Sequence, residues 1–443
     1  MKKIFFLACL CSLGIQAQSF DSTAYTQQFK KVFERSFFGD SLSPATKIAG
    51  LSKAWAEAKF NFANFDLIPE ANWDSIYYNY IPKVLEADTK AEYYKVLTNF
   101  YTNLKDGHSL ILPPKELWEE LSSSLPIRTQ LVEGQVVITL LDSELEAYRE
   151  LQPGTVILKI NELPVTEYAE EHIAPYVSSS TPHDKTARMY AFFLTRGPLD
   201  EPVKLEIKTP TGKVIQKNFA RIRNEQMFPA AKGFDYKKLN KKTVLLTINT
   251  FNDGSLVPYL DSIFQKLPHP ENLVVDLRIN GGGNGNNGYE LLGYLTDSTF
   301  LTSKSVIRHY RPPLRAWGQA PDELEFTQGD WKPYKGPTFK GKVVVLAGPD
   351  TYSAAEDFLT AFKTMKRGVV IGQPTGGSTG QPLFFPLPFG GMGAVCSKRD
   401  LFPDNSEFIG IGIKPDIEVK PTLQNIIDQQ DVALQAALNY LKK

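Results

Sequence analysis

The second half of this chain predicts an α/β fold, layered around a largely parallel sheet, on three observations. Compact apolar runs recur over residues 244–248, 273–277, 343–347 and 369–371, the texture of strands covered on both faces. Amphipathic helical segments over 256–266, 288–295 and 354–363 alternate with them, and 423–441 reads as a closing helix. Glycine-bearing turns, Gly281-Gly282-Gly283 and Gly348-Pro349-Asp350, stand where strand gives way to helix.

A length of 443 residues is long for a single core and leaves room for about two to four domains. Hydrophobic residues make up 42% and charged ones 22%, ordinary values for a soluble globular protein. The 49 basic side chains balance the 49 acidic ones, so no bulk field recruits nucleic acid or an anionic membrane. Residues 1–17 predict a secretory signal: Lys2-Lys3, an apolar core over 4–15, and Gln16-Ala17-Gln18 with cleavage after Ala17. That apolar run is too short to span a bilayer, and nothing later is apolar enough. Cys9 sits too early for a lipoprotein box. Cleavage removes Cys9 and Cys11 and leaves Cys396 alone. The expectation is a secreted or periplasmic protein with no internal disulfide and no zinc site built on several cysteines.

Residues 18–118 read as helical. Ala54, Ala58, Phe62 and Phe65 make one apolar stripe, and Tyr94, Leu97, Phe100, Tyr101 and Leu104 make another. The second helix is expected to end at Asp106-Gly107, with glycine as a left-handed C-cap. His108 follows in the loop, where it is either a polar surface group or, given its intrinsic pKa, a general base. Residues 119–225 change texture to short strands over 135–141, 155–160 and 203–208, with 168–176 and 187–194 helical between them. The α/β region then occupies 226–443.

The stretch 341–363 reads as buried strand, tight turn and amphipathic helix, with Ala355, Phe358, Leu359 and Phe362 on one face. Ser353 stands where the turn becomes the helix. Free backbone N–H groups and the positive helix end lie beside it, which suits a nucleophile whose attack creates an oxyanion. Ser353 and Glu356 also spell a capping box, in which both side chains only satisfy backbone amides. Two other glycine motifs are weaker. Gly283 to Gly288 fits the dinucleotide pattern G-x-G-x-x-G, but the strand near 304–310 lacks the acidic residue that a ribose needs. Gly376 to Gly380 fits G-x-S-x-G, but Gln381-Pro382-Leu383-Phe384-Phe385-Pro386 after it is no helix, so Ser378 is a poor nucleophile. No H-E-x-x-H occurs, and the five histidines show no metal-ligand spacing.

The segment LQPGTVILKINELPV, 151–165, resembles the heart of a PDZ domain of the bacterial protease-associated kind, a module that accepts an extended peptide along a strand edge. LKDGHS at 104–109, DLRINGGG at 276–283, TYSAAEDF at 351–358 and GIGIKPDIEV at 410–419 follow one another in order. Together with the PDZ-like segment they resemble the tail-specific or C-terminal processing serine proteases, most of all the tricorn-core branch. The resemblance implies a helical region at 18–118, a PDZ-like domain at 119–225 and a crotonase/ClpP-like layered catalytic domain at 226–443.

It also implies roles. Ser353 would be the nucleophile, and the backbone N–H groups of Gly282 and Ala354 the oxyanion hole. Members with a Ser-Lys dyad carry T-x-G-K; here Thr375-Gly376-Gly377-Ser378 ends in serine, which leaves His108 as the base, as in the tricorn-like branch. In that branch a serine precedes the histidine and helps to orient it, whereas this chain has Gly107 there and Ser109 on the other side. Glu407, shortly before the G-x-G-I-x-P-D signature, is the expected acidic orienter. The implied chemistry is acyl-enzyme hydrolysis of a protein or peptide substrate, with no metal or organic cofactor. The rival is a catalytically degenerate peptide- or ligand-binding protein on the same fold. For His108 to reach Ser353, the helical region must fold back over the catalytic sheet. The sequence leaves the oligomeric state open.

Overall fold

The computed structural model describes residues 21–34, 38–141, 145–223, 232–266 and 271–443, and the signal expected at 1–17 lies outside them. The chain divides into two units, Met1–Phe38 and Gly39–Lys443. Of the first unit the structure describes one helix, α1 (Ser22–Glu34).

Three helices open the second unit: α2 (Pro44–Asn61), α3 (Trp73–Glu86) and α4 (Lys90–Thr102). Each starts on a side chain that satisfies an orphan amide. Ser43 accepts from the Thr46 N–H, Asn72 from that of Ser75, and Thr89 with Glu92 forms a full capping box. The two apolar stripes meet, burying Ala54, Ala58 and Phe62 against Tyr94, Leu97, Phe100 and Tyr101. α4 does not run to Gly107. It ends at Thr102, and Lys105 takes the left-handed turn with φ 48°. Gly107 is required for another reason: a Cβ there would lie 1.7 Å from the Tyr352 hydroxyl. The chain then enters β1 (Leu110–Leu112) and a short helix, α5 (Trp118–Leu121).

The next region is an antiparallel sheet of β2 (Ile127–Val132), β3 (Gln135–Leu141), β4 (Val156–Ile160), β5 (Leu163–Pro164), β6 (Val203–Lys208) and β7 (Val214–Phe219). The order is β2-β3-β4-β6-β7, with β5 paired to β4. Between β5 and β6 run α6 (Val165–Tyr168) and α7 (Pro182–Arg188), prolonged by wider helical turns at Ala169–Ile173 and Met189–Phe193. They bury Val136, Ile157 and Leu205 under Tyr168, Ile173 and Tyr190. β2 is one of the two edge strands, and Met189–Phe193 already lies against it: Thr129 Oγ1 donates to the Tyr190 carbonyl, and the Arg128 guanidinium sits 4.6 Å from the Phe192 ring centroid.

The α/β region begins with β8 (Phe234–Lys238), β9 (Thr243–Ile248) and α8 (Leu256–Lys266), followed by β10 (Asn272–Asp276) and α9 (Gly285–Gly293). A long hairpin of β11 (Phe300–Tyr310) and β12 (Asp322–Trp331) carries α10 (Pro312–Ala316) in its connection. Then come β13 (Lys342–Ala347), α11 (Ala354–Thr364) and β14 (Val369–Gly372). The chain continues through β15 (Pro382–Pro386), β16 (Met392–Cys396), β17 (Lys398–Leu401) and β18 (Ile417–Glu418) to α12 (Leu423–Ile427) and α13 (Val432–Leu441).

The main sheet has the order β18-β14-β13-β10-β9-β8, parallel throughout except for β8 against β9. Successive valines of one strand serve opposite faces. Val275, Val343 and Val345 pack with Leu291, Phe358 and Phe362 of α9 and α11, while Val274, Val344 and Leu346 pack with Ala433, Ala437 and Leu441 of α13. The closing helix expected over 423–441 is two helices, broken at Gln429 with φ 53°. The break lets each half serve a different surface: Leu423 and Ile426 pack on Val132, Val137 and Val156 of the β-rich sheet.

The fold-back is present. β1 pairs antiparallel with β16, Leu110 opposite Ala394, and Phe385, Leu387, Val395 and Cys396 enter the core of the helical region. Among the described residues no helix is long and apolar enough to cross a membrane.

Candidate active site

β13 ends in the turn at Gly348-Pro349-Asp350, and Ser353 precedes the first residue of α11 with φ 56° and ψ −127°. L-residues avoid that conformation, so the surroundings hold it under strain. The capping box is present in its arrangement, and Glu356 serves it, but no cap hydrogen bond is made by the Ser353 hydroxyl. Ser353 makes no side-chain cap; the Glu356 N–H goes to the Ser353 carbonyl at 2.7 Å, and Glu356 Oε2 takes the Ser353 N–H at 3.3 Å. Ser353 is partly exposed, and its hydroxyl has no hydrogen-bond partner among the described residues.

Gly282, with φ 98°, closes on this serine. A Cβ on it would lie 2.6 Å from Ser353 Cβ and 2.9 Å from the Ala354 nitrogen, so only glycine fits. The two expected oxyanion donors differ in state. The Ala354 N–H, at the start of α11, has no hydrogen-bond partner among the described residues, whereas the Gly282 N–H donates to Asn280 Oδ1 at 2.9 Å.

His108 arrives from the other end of the chain. Asp106 is buried and shapes its loop, Oδ1 accepting the His108 N–H at 3.0 Å and the Ser109 hydroxyl at 2.8 Å. Burial pushes the Asp106 carboxyl up to about 6. The imidazole stacks on Tyr352, ring centroids 5.1 Å apart at 23°, and its Nδ1 lies 2.7 Å from Ser378 Oγ. Ser378 in turn accepts the Ser353 N–H on its carbonyl at 3.1 Å. His108 thus stands beside the two residues that flank Ser353 in the fold. Burial first, and then the charge of Arg188, pushes the imidazole pKa down to about 4, so the ring is neutral at pH 7. In the tautomer that donates the Nδ1 proton to Ser378, Nε2 is a lone-pair acceptor.

Residues 242–419, which carry Ser353, Ala354 and Gly282, match the profile of Peptidase family S41. They form a peptidase family S41 domain. Solved structures agree on the fold across a wider span. Mature CPAF complexed with lactacystin superposes with a TM-score of 0.69 at 15% identity, covering 91% of this chain and 98% of that one. The photosystem II D1 C-terminal processing protease gives 0.50 at 18% identity, covering 85% and 94%.

Within the S41 domain, Glu407 is not brought to His108. It is exposed, it bridges to Leu401 through the backbone, and its carboxylate meets Arg399 at 3.4 Å. The turn over 402–406, with Asn405 at φ 73°, carries it outward. Ser378, set aside above as a nucleophile, is the residue that meets Nδ1. It is fully buried.

Glu356 of the S41 domain is buried too, and accepts from Thr375 Oγ1 (2.5 Å), Gly377 N–H (2.8 Å) and Ser378 N–H (2.9 Å) besides Ser353. Burial raises its carboxyl to about 7 against those donors. One side chain therefore anchors both the serine at 353 and the strap that presents Ser378.

Proposed function

We propose that this chain is a serine endopeptidase that cleaves peptide bonds through an acyl-enzyme. Ser353 Oγ attacks the scissile carbonyl carbon, and its proton passes to Nε2 of His108. The imidazole returns that proton to the departing amine as the C–N bond breaks. Water, deprotonated by the same nitrogen, then cleaves the ester and frees Ser353. The Ala354 N–H takes the developing oxyanion, joined by that of Gly282 on release from Asn280; one such donor is worth about 3 kcal/mol in the transition state. Ser378 holds Nδ1 in place of an acid.

The observation that carries this reading is a strained, unbonded serine hydroxyl with a neutral imidazole beside it, the two bridged by Tyr352 and Ser378. The S41 domain supports it. The substrate class is protein or peptide, the β-rich region is read as PDZ-like, and the signal at 1–17 directs the chain to the periplasm or the exterior. Labelling by a fluorophosphonate probe tests the chemistry. Wild type should label at Ser353, S353A should not, and H108A should label at least about 10³-fold more slowly. No labelling at any pH would instead favour a binding protein on the same fold.

A further inference from the structure

We propose that Arg188, supplied by the β-rich region, is a positioning residue for His108: clamped by Asp184, its guanidinium lies on Tyr352, whose ring carries the His108 imidazole. The proposal rests on the reading of His108 as the base.

The geometry has three parts. Arg188 Nε donates to Asp184 Oδ1 at 2.7 Å, and the guanidinium carbon lies 4.6 Å from the Tyr352 ring centroid. The Tyr352 hydroxyl donates to the other oxygen of Asp184 at 3.3 Å, and Asp184 is 1% exposed. Tyr352 is therefore held by cation, carboxylate and imidazole together, immediately before Ser353. A buried i,i+4 ion pair is an ordinary feature of a helix such as α7. A pair with only that task has no need to engage the ring under a base.

The rest of the segment docks on the same centre. The Ser180 hydroxyl accepts the Gly107 N–H at 3.0 Å, next to His108. Thr181 Oγ1 donates to the Gly376 carbonyl at 3.2 Å, and His183 Nε2 lies 2.7 Å from the Thr375 carbonyl, both on the strap that presents Ser378. A Cβ on Gly107 would also come within 3.4 Å of Arg188 Nη2. A serine before the histidine has no room in this chain, because Tyr352 and Arg188 fill its place.

Charge completes the case. A guanidinium beside the stack disfavours imidazolium, so the resting His108 ring is unprotonated. The other groups facing His108 are Lys398 and Asp400 of β17, which push in opposite directions, and buried Asp106 in its own loop; Glu356 lies beneath Ser378, and Asp350 faces Arg188. Arg188 is the largest single charge effect on the imidazole.

The test uses the full chain as wild type, R188K, R188Q and the double variant R188Q/D184N, which leaves no unpaired buried carboxylate. The His108 pKa is read by NMR titration of the imidazole, assigned with H108Q, and the labelling rate and kcat/KM are followed against pH. In R188Q and in the double variant the His108 pKa and the acid limb should rise by about one unit. Their kcat should fall about 10- to 100-fold, with KM little changed. R188K should keep the wild-type pKa and lose only part of the rate. An unmoved His108 pKa in folded R188Q, or wild-type behaviour of the double variant, overturns the proposal. The titration does not depend on turnover, so it decides the role of Arg188 even if the failure of Ser353 to label removes the parent reading.

Discussion

The two halves of the candidate site are built in opposite ways. The nucleophile half comes from one continuous stretch, β13, turn and α11, and its geometry is set by neighbours in sequence plus one glycine from the 281–283 turn. The base half is assembled from five separate places. Asp106 shapes the loop, β16 pins β1, Ser378 meets Nδ1, Tyr352 carries the ring, and α7 backs Tyr352. The lesson is that the setting of a candidate nucleophile can be specified locally, by one strained residue at a helix start. A base has to be aimed, and aiming takes the whole fold.

The sharpest way to break the local half is Gly282→Ala. The added methyl meets Ser353 Cβ and the Ala354 nitrogen, so fluorophosphonate labelling should fall by at least about 10³-fold. A melting curve close to wild type would show that the loss is catalytic. Labelling within about threefold of wild type would mean that Gly282 is not part of the site.

The distributed half should degrade in steps. Ser378→Ala leaves Nδ1 without its partner, and a drop of about 10- to 100-fold in kcat is expected, with His108 still required. Retention of full kcat would return the orienting role to some other group.

His108 also makes stability depend on pH. Its folded pKa, about 4, lies below the ordinary imidazole value of about 6.5. Between those values the unfolded chain binds a proton that the folded chain refuses, so wild type loses stability as pH falls through that window. H108Q lacks the effect, while the opposing contribution of Asp106, raised to about 6, is common to both proteins to a first approximation. Denaturant unfolding at pH 7 and pH 4 should show wild type losing on the order of 2 kcal/mol more than H108Q. An equal loss in both would mean that the imidazole titrates normally. The smallest effect is expected at Glu407→Gln: kcat/KM within about twofold of wild type, since a surface pair with Arg399 is worth little.

The same contrast explains what could be read from the sequence. The parallel sheet was legible because runs such as Val343-Val344-Val345 bury every side chain, a pattern that only doubly covered strands produce. The strand–turn–helix setting of Ser353 was legible because all three parts fall within one window. His108 could be picked out only through resemblance, and its true surroundings not at all. Ser378 looked like a failed elbow because no helix follows it, and its hydroxyl acquires meaning only when residues 108, 353 and 356 converge on one strap. Glu407 had a plausible spacing, but a single left-handed residue at Asn405 redirects the chain. Gly107 had the right residue type for the wrong reason, a C-cap in place of a close approach by Tyr352. The break at Gln429 follows from docking on two surfaces, which helical periodicity does not reveal.

The pairing of Leu110 with Ala394 sets an order of events. In a chain made from its N-terminus, His108 is synthesised early, but the strand that pins its loop arrives among the last fifty or so residues. The nucleophile stretch is complete before then. Contacts between such distant positions form slowly, since a long loop has to close first. Until β16 pairs with β1, the stretch around Ser353 is therefore present without the pairing that holds the His108 loop in place.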